Sequence, residues 1–379
     1  MQLKNLLPVA LGAVASAQSL AEVFANHTAQ LSSLDGLLGN TSLLTALSSA
    51  SNLTILAPSN DALSAFLASP RGMAAGNDTE AIVALLQYHV LNGTHHAYNF
   101  TARPQFIPTM LMNSTYANVT GGQSVEVIRN GTNVTIYSGL VERSRVTMSN
   151  LNFTGGTVHV IDKVLTVPES IVSTGVAGNL TSLVGAVTRA NAVDAIDSLR
   201  DITIFAPSNA AFSRIGSALQ NISAADLGNV LNYHVVNGTV GYSSILTNTT
   251  LRTLQGGEVT VRIENGSVFV NSARVTTPDL LVENGVIHVI DAVLNPNATT
   301  ATPDPTASST MAVFPGATSV STDVFTESVP PQTTVIVGAP TGAGGAVTSS
   351  SSAGAKRAWQ TGAVGVGALF GGAGMLLNM

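Results

Sequence analysis

The 379-residue sequence contains no cysteine, and only 9% of its residues are charged. Without cysteine there are no disulfide bonds and no thiolate metal sites, so each domain must be stable through packing and hydrogen bonds alone. The formal net charge of -6 leaves no basic surface able to neutralise nucleic-acid phosphates. We therefore expect no nucleic-acid partner, and the length predicts two domains with additional segments.

The N-terminus has the pattern of a secretory signal. Lys4 precedes an apolar run that extends from Leu6 to about Val14, and the small residues Ala15 and Ala17 follow at the positions of a cleavage site. The alternative is a buried N-terminal helix, which the short apolar run and Pro8 disfavour. We expect residues 1–17 to be a removed signal peptide.

The C-terminus has the pattern of a GPI-attachment signal. Residues 361–379 are apolar and rich in glycine, and the short polar stretch 356–360 precedes them. Small residues upstream, a polar spacer and a terminal hydrophobic tail are typical of this signal. A retained transmembrane helix is the alternative, but the tail has no basic residue at its end. We expect a lipid on Ser352, loss of the propeptide 353–379, and anchoring to the outer leaflet of the plasma membrane.

Three sequence blocks occur twice in the same order. They are TILAPSNDALSAF at 54–66 and TIFAPSNAAF at 203–212, YHVLNGT at 88–94 and YHVVNGT at 233–239, and GTVHVIDKVL at 156–165 and GVIHVIDAVL at 285–294. The chain therefore contains one domain twice. His89 and His159 are 70 positions apart and His234 and His288 are 54 apart, so the first copy has 16 more residues in this interval. Such insertions belong in surface loops or hairpins.

The repeated blocks also predict local structure. A short β-prone run ends at Pro58, and Ser59 or Asn60 then caps a helix. Alternating β-branched and polar residues around Asn130-Gly131 and Asn265-Gly266 predict a hairpin in each copy. The third block is apolar enough to be a strand buried on both faces. Helices precede paired strands in each copy, so the fold class is α+β.

These blocks resemble the two homology boxes and the central Tyr-His motif of fasciclin domains. The resemblance covers residues 18–167 and 168–296 and implies two tandem domains, each a β-sheet wedge with packed helices, of a kind found in extracellular adhesion and matrix proteins. In animal members the Tyr-His region is implicated in integrin contact. That role would fall on Tyr88, His89, Tyr233 and His234. The alternative is a structural role, in which each imidazole is buried and hydrogen-bonded to the Ala-Pro-Ser-Asn segment.

Residues 297–352 form a Ser-, Thr- and Pro-rich stretch with almost no aromatic residues. Such a composition cannot bury enough apolar surface to offset the entropy of ordering the chain. We expect a disordered stalk that carries O-linked glycans.

The sequence lacks common motifs of catalytic, phosphate-binding and metal-binding sites. The sequence has no G-x-S-x-G elbow, no phosphate-binding loop and no H-E-x-x-H helix, so no catalytic residue is predicted. His95 and His96 lack a carboxylate at ligand spacing, and the second copy has Val240-Gly241 there. We expect no metal, no cofactor and no enzyme activity, although carboxylates from distant segments leave a surface hydrolase open.

Sequons for N-glycosylation are the most abundant motif. At Asn52, Asn92 and Asn237 the asparagine adjoins a predicted strand or lies in a Tyr-His block, where a turn needs it. The remaining candidates are Asn26, Asn40, Asn77, Asn99, Asn113, Asn118, Asn130, Asn133, Asn152, Asn179, Asn221, Asn248, Asn265 and Asn297. This density after a signal peptide predicts a glycan-covered surface.

The resemblance to fasciclin domains, together with the signal, sequon and GPI patterns, implies a non-catalytic protein of the cell surface that acts in adhesion or in contact with the cell wall or matrix. Its partner would be the extracellular matrix, a cell-wall glycan or a surface protein, besides the membrane that holds its GPI lipid. The alternative is a module that binds a polysaccharide or a lipid, and a surface hydrolase is the third hypothesis. Fold alone does not decide among them.

Overall fold

The structure, a computed structural model, describes residues 18–39, 43–76 and 78–298, with parts of 302–329. The predicted signal peptide 1–17, Asn40, Asn77, Ser352 and the tail 353–379 lie outside the described residues. The described part contains two α+β domains in tandem, each with one seven-stranded sheet and packed helices. The predicted fold class is thus confirmed.

No helix in the described ranges is both long enough and apolar enough to cross a bilayer.

The first domain begins with helices and ends with paired strands. Its elements are α1 (Leu20–Asn26), α2 (Thr28–Gly39), α3 (Leu43–Ser49), β1 (Leu53–Pro58), α4 (Asn60–Leu67), α5 (Pro70–Ala75), α6 (Thr79–Tyr88), β2 (Val90–Asn92), β3 (Gln105–Pro108), β4 (Ser124–Asn130), β5 (Asn133–Tyr137), β6 (Arg143–Phe153) and β7 (Gly156–Ile161). Short 3-10 turns occur at Ala97–Asn99 and Gly139–Val141.

The second domain repeats this order. Its elements are α7 (Ile171–Ala177), α8 (Thr181–Arg189), α9 (Val193–Asp197), β8 (Ile202–Pro207), α10 (Asn209–Arg214), α11 (Gly216–Leu219), α12 (Ala224–Tyr233), β9 (Val235–Val236), β10 (Thr249–Arg252), β11 (Glu258–Glu264), β12 (Ser267–Val270), β13 (Ala273–Val282) and β14 (Gly285–Ile290).

The two sheets have the same strand order. It runs β2-β1-β7-β6-β5-β4-β3 in the first domain and β9-β8-β14-β13-β12-β11-β10 in the second. In each sheet one pair is parallel, and it places Pro58 beside Ile161 and Pro207 beside Ile290. The two prolines therefore occupy the same topological position, as the repeat predicts.

The Ala-Pro-Ser-Asn segment turns each parallel strand into a helix. Ser59 caps α4 by accepting the N–H of Ala62 at 3.2 Å, and Ser208 caps α10 in the same way. The asparagine that follows bonds to a preceding helix instead. Asn60 accepts the N–H of Ser33 and donates to carbonyls of α2. Serine is thus the cap, and asparagine ties the preceding helices to the turn.

The predicted hairpins and buried strands are present. Asn130 faces Asn133 across a turn in which Gly131 adopts a φ of 61°, a conformation that favours glycine. Strand β7 is buried beyond its first residue and separates two apolar clusters. Val158 packs with α1 and α2, whereas Ile161 packs with Tyr88 and strands β3 to β5. Tyr88, the last residue of α6, therefore lies in the core against the sheet.

Most of the extra residues of the first domain lie in two loops. The connection from β3 to β4 covers 109–123, whereas its counterpart from β10 to β11 covers only 253–257. The connection from β5 to β6 contains the 3-10 turn Gly139–Val141, whereas β12 and β13 are joined by a short turn. The predicted placement between His89 and His159 is confirmed.

Both loops contact the second domain and form the joint between the domains. Asn118 donates its side-chain N–H to the carbonyl of Leu199 at 2.8 Å and its backbone N–H to Glu283 at 2.7 Å. The backbone N–H and hydroxyl of Thr120 each donate to the carboxylate of Asp201 at 2.6 Å. The 3-10 turn packs against α7 and β13. The corresponding connections in the second domain are shorter. The inserted residues of the first domain therefore provide the contacts that join the two domains.

The expectation of a disordered stalk from residue 297 onward is wrong for the part that the structure describes. Residues 313–326, here called the strap, pack against α8, α10 and α11 of the second domain. The prediction relied on average composition, but the buried Phe325 and the partly buried Phe314, Ala317 and Val324 pack against the core of the second domain, and Val320 lies against Gly216.

Candidate functional site

Tyr88 and Tyr233 are the last residues of helices α6 and α12, and both side chains are buried. The hydroxyl of Tyr88 donates to the carbonyl of Ser124 at 3.0 Å, and that of Tyr233 donates to Glu258 at 2.7 Å. Each acceptor is the first residue of a strand. The tyrosine therefore fixes the helix end to the start of β4 or β11.

His89 and His234 are the residues that follow these tyrosines, and both are buried. The Nε2 atom of His89 accepts the N–H of Leu165 at 2.9 Å, so its Nδ1–H donates to the carbonyl of Leu85 at 2.7 Å. The ring of His234 has the same arrangement, with Leu294 as donor and Val230 as acceptor. The backbone bonds thus select one neutral tautomer in both domains.

Burial lowers the pKa of His89 and of His234 to about 4. Protonation would place a second N–H against the backbone N–H of Leu165 or Leu294 and remove the acceptor that these donors need. Neither imidazole has a nitrogen available for a ligand or a proton transfer. The expected burial is confirmed, whereas the expected bond to the Ala-Pro-Ser-Asn segment is wrong, because the rings instead bond the segment after the last strand.

A second buried histidine pair lies in the central strands. His159 accepts the N–H of Asn150 at 3.1 Å through Nδ1 and donates to the carbonyl of His95 at 2.8 Å through Nε2. His288 bonds the backbone of Asp279 and Gly241 in the same way. Both positions 150 and 279 have a positive φ, so the histidine stabilises a strained bulge in the sheet.

The second copy differs by placing a carboxylate beside its histidine. Asp279 Oδ1 lies 3.9 Å from His288 Nδ1 and accepts the N–H of Ser243 at 2.8 Å. Burial lowers the pKa of His288, and its Nδ1 already accepts a backbone N–H. The ring has no solvent exposure. The pair therefore lacks both the tautomer and the access that a catalytic dyad requires.

Among the described residues no group of three or more His, Cys, Asp or Glu side chains could hold a metal ion. His95 bonds the carbonyl of Asn92 through Nε2, and His96 stacks on Tyr98 with ring centroids 5.1 Å apart. The adjacent histidines thus contact different partners rather than one shared position.

The described sequon asparagines are exposed with one exception. The exposed ones are Asn26, Asn99, Asn113, Asn130, Asn133, Asn152, Asn179, Asn221, Asn248, Asn265 and Asn297. The exception is Asn118, which is half-buried in the joint and uses its side-chain N–H in the bond to Leu199. These positions lie on both domains, so their surfaces could carry glycans without disturbing either core.

A cleft of about 540 Å³ opens beside the joint. Phe106 of the first domain stacks on Tyr242 of the second, with ring centroids 4.1 Å apart and planes 10° apart. Thr120, Ser124 and Asp201 add polar groups to the lining. The repeated sequence blocks could not reveal this cleft, because residues of both domains line it and nearly all of them lie outside the blocks.

Glu126 is a buried acid at the same joint. It lies on β4 between Phe106 and Tyr137 of the neighbouring strands. Burial raises the pKa of Glu126 to about 8, and the nearby charge of Asp279 contributes to this shift. The carboxyl is therefore protonated at neutral pH, and the two acids from opposite domains do not repel each other.

Comparison with known proteins places these features in a family. The family model described as "Fasciclin domain" matches residues 29–168 and 178–296. The chain is 41% identical over 291 residues to the "Fasciclin-like arabinogalactan protein" of Arthroderma benhamiae, covering 75% of this chain and 68% of that protein. It is 30% identical over 292 residues to "Fasciclin-like arabinogalactan protein elcF" of Phaeosphaeria nodorum, covering 76% and 92%. It is 29% identical over 290 residues to "Fasciclin-like arabinogalactan protein CTB11" of Cercospora beticola, covering 74% and 77%.

The two matched ranges contain both copies of the Tyr-His block and of the terminal histidine strand. Together with the identity to these relatives, they show that the chain belongs to the fasciclin domain family and has two fasciclin domains in tandem.

Proposed function

We propose that this protein is a non-catalytic glycoprotein of the cell surface that acts in adhesion or in contact with the cell wall or matrix. Its relatives are named arabinogalactan proteins, and such proteins are typically cell-surface glycoproteins. The observation that carries the proposal is the division between core and surface. The repeated Tyr and His side chains serve the fold, whereas the exposed sequons occupy both domains.

It follows that partner contact is made by surface loops and glycans rather than by the Tyr-His blocks. Tyr88 and Tyr233 have no exposed surface, and His89 and His234 are 4% and 2% exposed. A partner could reach these side chains only by unfolding the segment that follows β7 or β14. Their part in recognition would then be indirect, through the position of the neighbouring loops.

The test is binding of the glycosylated full chain to a cell-wall and matrix fraction from its own cells, measured by co-sedimentation. We expect saturable binding that weakens after enzymatic removal of N-glycans. Tyr98→Ala changes an exposed loop aromatic and should weaken binding without changing stability. Undetectable binding of the fully glycosylated chain would refute the proposal.

The cleft at the joint supports a second candidate, binding of a polysaccharide. Stacked aromatic rings beside hydroxyl and carboxylate groups suit a sugar ring, which presents both apolar faces and hydroxyls. Glycan and lipid-vesicle arrays distinguish this function from protein-mediated adhesion. Binding to one glycan class that Thr120→Val and Ser244→Ala weaken would favour it, whereas binding to vesicles would indicate a lipid ligand.

A further inference from the structure

The strap is held by a pocket for one aromatic side chain. Phe325 is 3% exposed, and its ring meets the edge of Phe212 with centroids 6.1 Å apart and planes at 85°. The guanidinium of Arg189 lies over the same ring, 5.4 Å from its centroid. Phe325 adopts a φ of 65°, which is strained for an aromatic residue. Its surroundings therefore fix a conformation that a free chain would avoid.

Two glycines let the strap approach the helices closely. A Cβ atom at Gly185 would overlap the carbonyl of Phe325, and one at Gly216 would overlap the side chain of Val320. Neither glycine has a positive φ, so the backbone itself does not require glycine there. The structure explains both glycines by the space that the strap needs.

Main-chain hydrogen bonds set the register of the strap. Val320 donates its N–H to the carbonyl of Ser213 at 2.9 Å, and Ser217 donates to the carbonyl of Thr318 at 3.2 Å. The N–H of Thr318 donates to the hydroxyl of Ser217 at 2.7 Å. Main-chain bonds combined with side-chain pockets are how proteins recognise extended peptides.

The first domain does not repeat this groove. Counted from the shared Pro-Ser-Asn sequence, Leu67 stands where the second domain has Gly216, and Leu63 stands where it has Phe212. A leucine in place of Gly216 would occupy the space that Val320 uses. Within the described residues the groove therefore belongs to the second domain alone.

We propose that this groove is a peptide-binding site that takes the strap of a second copy as well as its own, so that strap exchange joins two chains. The strap makes the same contacts in its own groove and in the groove of a second copy. The ratio of monomers to strap-exchanged dimers therefore depends only on the tether and on protein concentration. Residues 299–309 connect the last described residue of the second domain to Thr310, which bonds Asp291. A tether of this length reaches about 40 Å when extended.

The tether also sets the conditions for exchange. Two binding elements that are joined by a short segment of chain have an effective concentration in the millimolar range, so a dilute protein keeps its own strap. Exchange should begin where chains are crowded to similar concentrations, as on a surface. The inference does not depend on the proposed adhesive function, since it concerns contacts between copies of this chain.

A complementary pair of full-chain variants tests the exchange. Phe325→Ala weakens the strap and leaves the groove intact, whereas Gly216→Leu blocks the groove and leaves the strap intact. Val320→Asp and Gly185→Ala are second choices if either variant folds poorly, as judged by circular dichroism. Hydrogen exchange of Thr318 and Val320 should be at least about tenfold faster in both variants, and light scattering should show each alone as a monomer.

An equimolar mixture of the two variants at about 100 μM should contain dimers, because the free strap of one fits the free groove of the other. Wild-type protein should form dimers only at much higher concentration. A mixture that stays monomeric although both straps are released would overturn the proposal. So would dimers of either variant alone, or a strap that remains protected in Gly216→Leu.

Discussion

The Nε2 atom of His234 accepts a hydrogen bond from the backbone N–H of Leu294 at 2.8 Å, across 60 positions of sequence. His89 and Leu165 form the same bond in the first domain. These bonds attach the end of helix α12 or α6 to the segment that leaves the sheet. They explain why a polar residue is buried twice at the same place in an apolar core.

His234→Ala should destabilise the protein by about 1 to 3 kcal/mol, because the N–H of Leu294 and the carbonyl of Val230 lose their partner inside the core. The melting temperature should fall, and secretion should decrease with it. Thermal unfolding and the amount of secreted protein measure both effects.

The matched control is Thr247→Ala, at an exposed position of the same domain, which should change neither quantity. Unchanged stability of His234→Ala together with a selective loss of adhesion would contradict the structural role and make the Tyr-His block a recognition site.

The cost of replacing His234 should depend on pH. Burial lowers the folded-state pKa to about 4, below the unfolded value of 6.5, so the neutral ring stabilises the fold fully above pH 6.5. As the pH falls from 6.5 to 4 the unfolded chain takes up the proton first, and this stabilisation is lost. The stability gap between wild type and His234→Gln should therefore shrink by roughly 2 kcal/mol between pH 7 and 4.5. Chemical denaturation at both pH values measures the gap, and a constant gap would contradict the buried neutral ring.

Glu126 should show the opposite dependence. Its folded-state pKa is raised to about 8 from 4.5, so its contribution to stability is complete below pH 4.5 and is lost as the pH rises towards 8. Glu126→Gln removes this loss and should stabilise the protein at pH 7.5, by an amount on the order of 1 to 3 kcal/mol. The exposed Glu258→Gln serves as control in the same denaturation series. A variant that is less stable than wild type at pH 7.5 would show that the carboxylate is needed in its charged form.

Asn118 should carry no glycan in the folded protein, although it lies in a sequon. Its side-chain N–H donates to Leu199 across the joint, and a glycan on that nitrogen would separate the two domains. Asn113, exposed in the same loop, is the internal comparison. Mass spectrometry of glycopeptides should find a glycan on Asn113 and no glycan on Asn118. A fully occupied Asn118 in stable, monomeric protein would mean that the joint is open in solution.

The GPI anchor predicted from the pattern between Ser350 and Met379 would be cleaved by a phosphatidylinositol-specific phospholipase, so this enzyme should release the protein from the membrane. Immunoblots of the soluble and membrane fractions, before and after treatment, measure the release. A mock digestion without enzyme controls for shedding. Protein that stays in the membrane fraction and retains its C-terminal peptide would be held by a transmembrane segment instead.

Much of the fold follows from signals that are local in the chain. Ser59 caps α4, Gly131 permits a hairpin turn, and Pro58 ends a strand, each for reasons that involve only its neighbours. The order of the repeated blocks then requires two domains with one topology. The spacing between the histidines also located the insertions correctly, since extra chain length is accommodated in loops.

The candidate sites depended on partners that sequence patterns do not show. The local pattern suggested that His89 bonds the Ala-Pro-Ser-Asn segment, whereas packing brings Leu165 to it. Composition suggested a free stalk, yet the pocket that accepts Phe325 exists only once α8 and α10 lie side by side.

The sequence by itself determined the repeat, the α+β class, the helix caps and the hairpin turns, because these depend on residues close together in the chain. Only the tertiary structure decided the tautomers of the histidines, the joint at Asn118 and Thr120, and the docking of the strap. Each of these consists of hydrogen bonds or contacts between residues far apart in sequence, and burial then fixes which groups can be charged or satisfied.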